Sequence, residues 1–138
     1  MNSGIMLVFL TLALASVFGV IFHFRSGHFR KTHRELRITP SDINQSLGTQ
    51  ATFVQFSSAF CQPCRATKVL LSHIALNTPG IDHVEIDAES HLELVRKFHI
   101  ARTPTTLIVD GSGRILSKAV GLPKKQEVIN TIAELSRA

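Results

Sequence analysis

Apolar and polar positions follow two different rules along this chain. From Gly4 to Phe22 the sequence reads Gly-Ile-Met-Leu-Val-Phe-Leu-Thr-Leu-Ala-Leu-Ala-Ser-Val-Phe-Gly-Val-Ile-Phe, 19 residues without a charge. A spanning helix needs roughly 17–25 such residues, so an uncleaved anchor is expected over 1–22. A secretory signal is the rival reading, because Ala13-Leu14-Ala15 imitates a small-residue cleavage site. Against it, no Lys or Arg precedes the run, and apolar residues continue through Val17, Phe18, Val20, Ile21 and Phe22. Beyond about Leu36 the apolar residues come in short periodic groups, the pattern of a globular domain expected over 38–138. Residues 23–37 then form a linker.

Within the domain the periods predict a sequence of elements. Thr39-Pro40-Ser41-Asp42 reads as a cap with proline at the first helical position, opening a short helix that ends near Gly48. Ala51-Thr52-Phe53-Val54-Gln55-Phe56 is strand-like. Ala66, Leu70 and Ile74 recur every four residues with Val69 and Leu71 alongside, which predicts a helix from about Cys61 to Asn77, stopped by Thr78-Pro79-Gly80. His83 to Asp87 alternates as a strand. Ser90-His91-Leu92-Glu93 has the pattern of a capping box and starts a helix to about Phe98. Thr105 to Val109 is β-rich, Asp110-Gly111-Ser112-Gly113 is a turn signal, and Ile115 to Val120 is the hairpin partner. Gly121 breaks that run, and a last helix from Pro123 packs through Val128, Ile132 and Leu135. Strands separated by helices imply parallel pairing, and the late hairpin adds an antiparallel edge. The expected fold class is α/β, a central mixed sheet flanked by helices. Neither internal repeats nor low-complexity segments interrupt it.

Charge changes the picture at one place. The net charge of +5 raises nucleic acid as a partner, but five of the fifteen basic residues (Arg25, Arg30, Lys31, Arg34 and Arg37) sit together just after the apolar run. That is a membrane-flank pattern, and no aromatic interleaving supports stacking on bases, so no nucleic-acid partner is expected. The same bias predicts the N-terminus outside and the domain on the cytoplasmic side, with an extracytoplasmic domain as the alternative. His23, His28 and His33 recur at five-residue spacing, fit no helix face, and read as linker residues.

The candidate chemistry lies in Phe60-Cys61-Gln62-Pro63-Cys64-Arg65, which holds both cysteines of the chain. Cys-x-x-Cys between a strand and a helix is the redox form of this spacing. Two thiols so placed close to a disulfide with little chain movement. At a helix start the first sulfur meets unpaired backbone N–H groups and the positive end of the helix dipole, which favour the thiolate, the attacking species in disulfide exchange. A structural zinc site usually needs four ligands; the chain has no third cysteine, and none of its seven histidines stands in a close pair that would complete one. No metal and no cofactor is expected.

With these motifs in order, the chain resembles the thioredoxin family over roughly Leu36 to Ala138. Cys61-Gln62-Pro63-Cys64 follows a buried strand, Val84-Glu85-Ile86-Asp87 stands where the family has its next strand, Ile100-Ala101-Arg102-Thr103-Pro104-Thr105 looks like its cis-proline loop, and Gly121 matches its glycine after the hairpin. The resemblance implies catalytic Cys61 and Cys64 forming a redox disulfide, with Phe60, Gln62 and Pro63 completing the active-site motif. It also implies a cis Thr103–Pro104 bond against the cysteines, with Thr103 and Pro104 binding the extended substrate by strand addition. Disulfide-containing proteins are then the substrates, and a recycling reductase or other electron donor is the second partner. Three residues depart from the family pattern. Phe60 replaces a tryptophan, Gln62 a glycine, and Gln55 a buried aspartate that helps move the proton of the second cysteine. His83, where the family often has lysine, and His99, beside the proline loop, are weak candidates for that proton role. Arg65 adds positive charge near the sulfurs.

The reading is therefore a membrane-tethered thiol–disulfide oxidoreductase, working in the reducing direction if cytoplasmic. Two alternatives stay open: a binding or assembly module whose cysteines are idle, and a copper or other soft-metal carrier using Cys61, Cys64 and a histidine.

Overall fold

The computed structural model describes residues 2–25, 27–31 and 36–137. His33 and Arg34 of the basic stretch lie outside the described residues. Among the described residues, ten elements follow one another: α1 (Asn2–Arg25), β1 (Phe29–Lys31), α2 (Pro40–Ile43), β2 (Ala51–Ser57), α3 (Gln62–Leu76), β3 (Ile81–Asp87), α4 (Leu92–Lys97), β4 (Thr105–Asp110), β5 (Ile115–Val120) and α5 (Lys125–Leu135). The sheet order is β1-β5-β4-β2-β3. β2 and β3 pair parallel, as the intervening helix requires, and the other neighbours pair antiparallel.

The central strand explains the arrangement. All seven residues of β2 are buried, the polar Thr52, Gln55 and Ser57 among them, so the strand is covered on both faces. Successive side chains point to opposite faces. Val54 and Phe56 join Val84, Ile86, Leu94, Phe98, Leu107 and Val109 in one core, on the α4 side. Ala51 and Phe53 join Leu71, Ile74, Ile81, Ile108 and Val128 in the other, under α3 and α5. α1 stands apart. None of its residues is buried, and by length and composition it is able to cross a membrane.

Several boundaries differ from expectation for physical reasons. The helix opened by Pro40 ends at Ile43 rather than near Gly48, because Asn44 turns left-handed (φ 53°). Its start is as expected: Thr39 and Asp42 bond reciprocally in a capping box. The second capping box, at Ser90, does not form. Ser90 Oγ donates instead to Asp87 Oδ2 at 2.6 Å, and His91 becomes the cap without a side-chain bond. β3 begins two residues early, at Ile81, and α5 begins at Lys125, after Pro123.

The largest difference is β1. Phe29–Lys31, expected within a linker, pairs with Ser117 to Ala119 and becomes the sheet's edge strand. Edge strands are commonly short and charged, which is how this one escapes the period-two pattern. The chain reaches it through Gly27, whose φ is 83° and where a Cβ would run into the Leu122 carbonyl. Gly27→Val is therefore expected to cost about 2 kcal/mol or more from the backbone conformation and the collision together. Urea unfolding of the two proteins, read by circular dichroism, measures it.

Candidate active site

The sequence places Cys61 at the N-cap of α3 because Pro63 suits the first helical turn, where a missing N–H is harmless. Cys61 has extended backbone (φ −106°, ψ 101°), and its Sγ accepts the Cys64 N–H at 3.2 Å. Its sulfur is bonded to Cys64, with the Cα atoms 5.2 Å apart. The two sulfurs differ in access. Cys61 is half-buried, whereas Cys64 is 1% exposed beneath the helix end. Phe60 is fully exposed, so it packs against nothing and offers its ring to solvent. Gln62 and Pro63 are exposed beside it.

The Thr103–Pro104 bond is cis, as the resemblance implies. Thr103 is half-buried and Pro104 buried. Thr103 Oγ1 is 3.0 Å from Ser58 Oγ, which ties the loop to the segment leading into the cysteines. Gly121 N–H donates to the Pro104 carbonyl at 2.8 Å, so the end of β5 holds the loop from the other side. Together these elements bound an open, mainly apolar groove of about 1470 Å³ lined by Gln62, Pro63, Val69, Thr103, Pro104 and Leu122, among others. The structure thus brings together the two cysteines, Gln62, Pro63, Thr103 and Pro104.

Beneath the pair lies a polar chain anchored on Gln55. The residue is fully buried, of the same parity as Phe53, and so faces α3. Its Nε2 donates to the Cys64 carbonyl at 2.8 Å and to Ser57 Oγ at 2.9 Å. Its Oε1 lies 3.0 Å from His83 Nε2, so that nitrogen carries the hydrogen and donates. His83 Nδ1 is 3.0 Å from Ser72 Oγ on α3, whose hydroxyl donates to the neutral ring. Burial pushes the His83 pKa down from its ordinary 6.5; the Glu85 carboxylate opposes this and the Lys68 ammonium adds to it. Lys68 and Glu85 pair with each other at 2.6 Å, both partly exposed.

The pH consequence has a definite sign. The unfolded chain protonates this imidazole below about pH 6.5, while the folded protein resists doing so. Stability is therefore full above pH 6.5 and falls as the pH drops towards the folded value. His83→Gln should remove that slope. Urea midpoints of both proteins from pH 5 to 8 test it, and parallel curves would exclude His83 as the source.

Among the described residues, His83 is linked to the Cys64 carbonyl through the Gln55 amide, which it supports. His99 takes φ 52°, and its carbonyl accepts from Lys118 Nζ at 2.8 Å, an ordinary structural contact. Arg65 is exposed beside the motif. Beside Cys64, a second opening of about 410 Å³ is lined by Ser57, Lys68, Glu85 and Asp87, giving the buried sulfur a polar outlet. Among the described residues, no group of three or more His, Cys, Asp or Glu is arranged to hold a metal ion. The sequence reading missed Ser57, Ser58, Ser72 and Leu122. Ser57-Ser58 next to the motif was a usable signal; Ser72, eleven residues from His83, had none.

A profile of the thioredoxin family matches residues 36–134, well over half of the chain. Among curated proteins, the H-type thioredoxin of Ricinus communis is 28% identical over 81 residues, covering 59% of this chain and 67% of that one. Thioredoxin H5 of Oryza sativa is 32% identical over 82 residues, covering 56% and 60%. The thioredoxin of Chlamydia trachomatis is 22% identical over 97 residues, covering 70% and 94%. Among solved structures, a Trypanosoma brucei brucei thioredoxin superposes with a TM-score of 0.60 at 19% identity, over 79% of this chain and 99% of that one. A Nicotiana alata thioredoxin gives 0.56 at 23%, over 62% and 73%. At these identities the structural likeness speaks for the fold, and the family profile with the cysteine pair speaks for the chemistry. The chain belongs to the thioredoxin family, and the cysteine pair at the head of α3 makes it a thiol–disulfide oxidoreductase.

Proposed function

We propose that the protein is a membrane-tethered reductant of protein disulfides, with Cys61 as the attacking sulfur and Cys64 as the resolving one. The observation that carries the reading is the asymmetry of the pair: one sulfur half-buried at a helix N-cap beside the groove, the other enclosed. The Cys61 thiolate attacks one sulfur of a substrate disulfide; that S–S bond breaks, the partner sulfur leaves as thiolate, and a mixed disulfide remains. Cys64 gives up its proton through the polar opening and attacks Cys61, forming the Cys61–Cys64 bond and releasing the second substrate thiolate. Two electrons pass to the substrate, and an external dithiol reductant restores the pair. Thr103 and Pro104 hold the extended substrate, while Phe60, Gln62 and Pro63 shape the approach to Cys61.

The tether is α1, whose 24 residues reach about 36 Å against a hydrocarbon core of about 30 Å. The basic residues after it support a cytoplasmic domain, where glutathione and thioredoxin systems favour the reducing direction. Turnover with insulin and a dithiol donor tests the chemistry. Flotation of the full chain with phospholipid vesicles tests the anchor, and impermeant thiol labelling of Cys61 in intact cells tests the side. Labelling from outside would overturn the cytoplasmic placement.

A further inference from the structure

The connector between the apolar helix and the sheet is too short and too well held to act as a free tether. Arg25 ends α1 and Phe29 begins β1; the three residues between span at most about 14 Å even when extended. Gly27 N–H donates to the Val120 carbonyl at 2.6 Å. His28 Nδ1 pairs with Glu127 Oε1 on α5, and Phe29 packs on the core beneath α3 and α5.

Contacts from the domain return to the same place. The Arg102 guanidinium lies 5.0 Å from the Phe22 ring centroid, and Lys124 Nζ lies 5.9 Å from that of Phe24. Arg102 immediately precedes Thr103–Pro104, and Lys124 follows Gly121-Leu122-Pro123. Both loops that wall the groove therefore touch the last turn of α1, and His23 lines the groove with Pro63 and Pro104. If α1 spans a bilayer, its excess length of about 6 Å puts that turn at headgroup depth.

We infer that the groove acts on disulfides in extended polypeptide segments that directly flank a membrane span of a partner protein. This rests on the anchored-oxidoreductase reading above. A segment lying along Thr103 meets the end of α1 inside the groove, so its neighbouring residues lie at the bilayer surface. A chain emerging from the same bilayer already starts there. A bulky soluble protein must instead press its own surface against the headgroups. The rim supplies a preference as well: Arg65, Arg102, Lys124 and Lys125 favour an acidic segment.

The test uses the full chain in phosphatidylcholine–phosphatidylglycerol vesicles, pre-reduced, in single turnover. Two single-span reporter peptides carry the same disulfide bridge, one about five residues from the span and the other beyond a proline-rich spacer of about 20 residues, which extends about 60 Å. The near bridge is expected to be reduced about tenfold faster or more, because the pinned domain cannot reach outward. A Gly/Ser insert of about 30 residues immediately after Arg25 should abolish that preference while leaving insulin reduction at least as fast as with the native connector. Equal rates on both reporters with the native connector, or a preference that survives the insert, overturn the inference while insulin activity and flotation stand. Loss of insulin activity, or failure to float with the vesicles, would instead overturn the underlying reading.

Discussion

Replacing Cys64 with alanine is expected to stop catalytic turnover while leaving the first chemical step intact. The half-buried Cys61 retains its place at the head of α3 and still attacks, but nothing resolves the adduct. Mixed disulfides with substrate should then accumulate to roughly one equivalent and be released by dithiothreitol. Cys61→Ala, in contrast, leaves a sulfur that is 1% exposed and out of a substrate's reach. That variant should form no adduct, and insulin reduction should fall to the uncatalysed rate. The double variant should be no slower than either single one, since the two residues act as a unit. The pH dependence of alkylation of the Cys64→Ala protein adds a physical check. In the disulfide, Cys61 Sγ already accepts the Cys64 N–H at 3.2 Å. Once reduced, the same donor and the helix end favour the thiolate, and its titration midpoint should lie clearly below the free-cysteine value of about 8.5. Adducts forming equally well through Cys64 alone would reverse the assigned roles.

Why so much of this was readable in the sequence is a matter of local chemistry. Cys61-Gln62-Pro63-Cys64 specifies its own geometry: proline suits the first helical turn and the spacing brings the sulfurs within bonding distance. The strands read correctly where one face or both are apolar, as in β2 and in β5, whose burial alternates residue by residue. Non-local interactions left no such trace. β1 is three residues of Phe-Arg-Lys, held by pairing with a strand some ninety residues later and by Phe29 packing on the core beneath α3 and α5. The contacts from Arg102 and Lys124 to Phe22 and Phe24 likewise join residues far apart in the chain. Ser90 shows the opposite failure. Its pattern for a capping box is complete, but the Asp87 carboxylate is a nearer and charged acceptor for its hydroxyl. Gln55 was recognised as a departure from an acidic position, yet its wiring to His83 and Ser72 becomes apparent only when β2, β3 and α3 are packed together.

That wiring makes Gln55→Leu the stability change expected to be largest. Leucine matches the volume but deletes both ends of the amide. The Cys64 carbonyl loses the 2.8 Å bond it accepts from Nε2, Ser57 Oγ loses one at 2.9 Å, and the His83 Nε2–H loses its acceptor. Each buried group left unpaired costs about 1–3 kcal/mol. Ser57 borders the polar opening beside Cys64 and can turn to water there, so two groups carry most of the loss, about 3 kcal/mol in all. For a domain of about 100 residues that lowers Tm by roughly 12–24 °C, readable by thermal denaturation of the oxidised protein. Phe60→Ser is the matching control: the ring is fully exposed and buries nothing, so its removal should leave Tm unchanged while altering the surface that substrates meet beside Cys61. The two variants separate scaffold from contact. If Gln55→Leu melted with the native protein, the hydrogen-bonded chain would not be what holds Cys64 beneath the helix end.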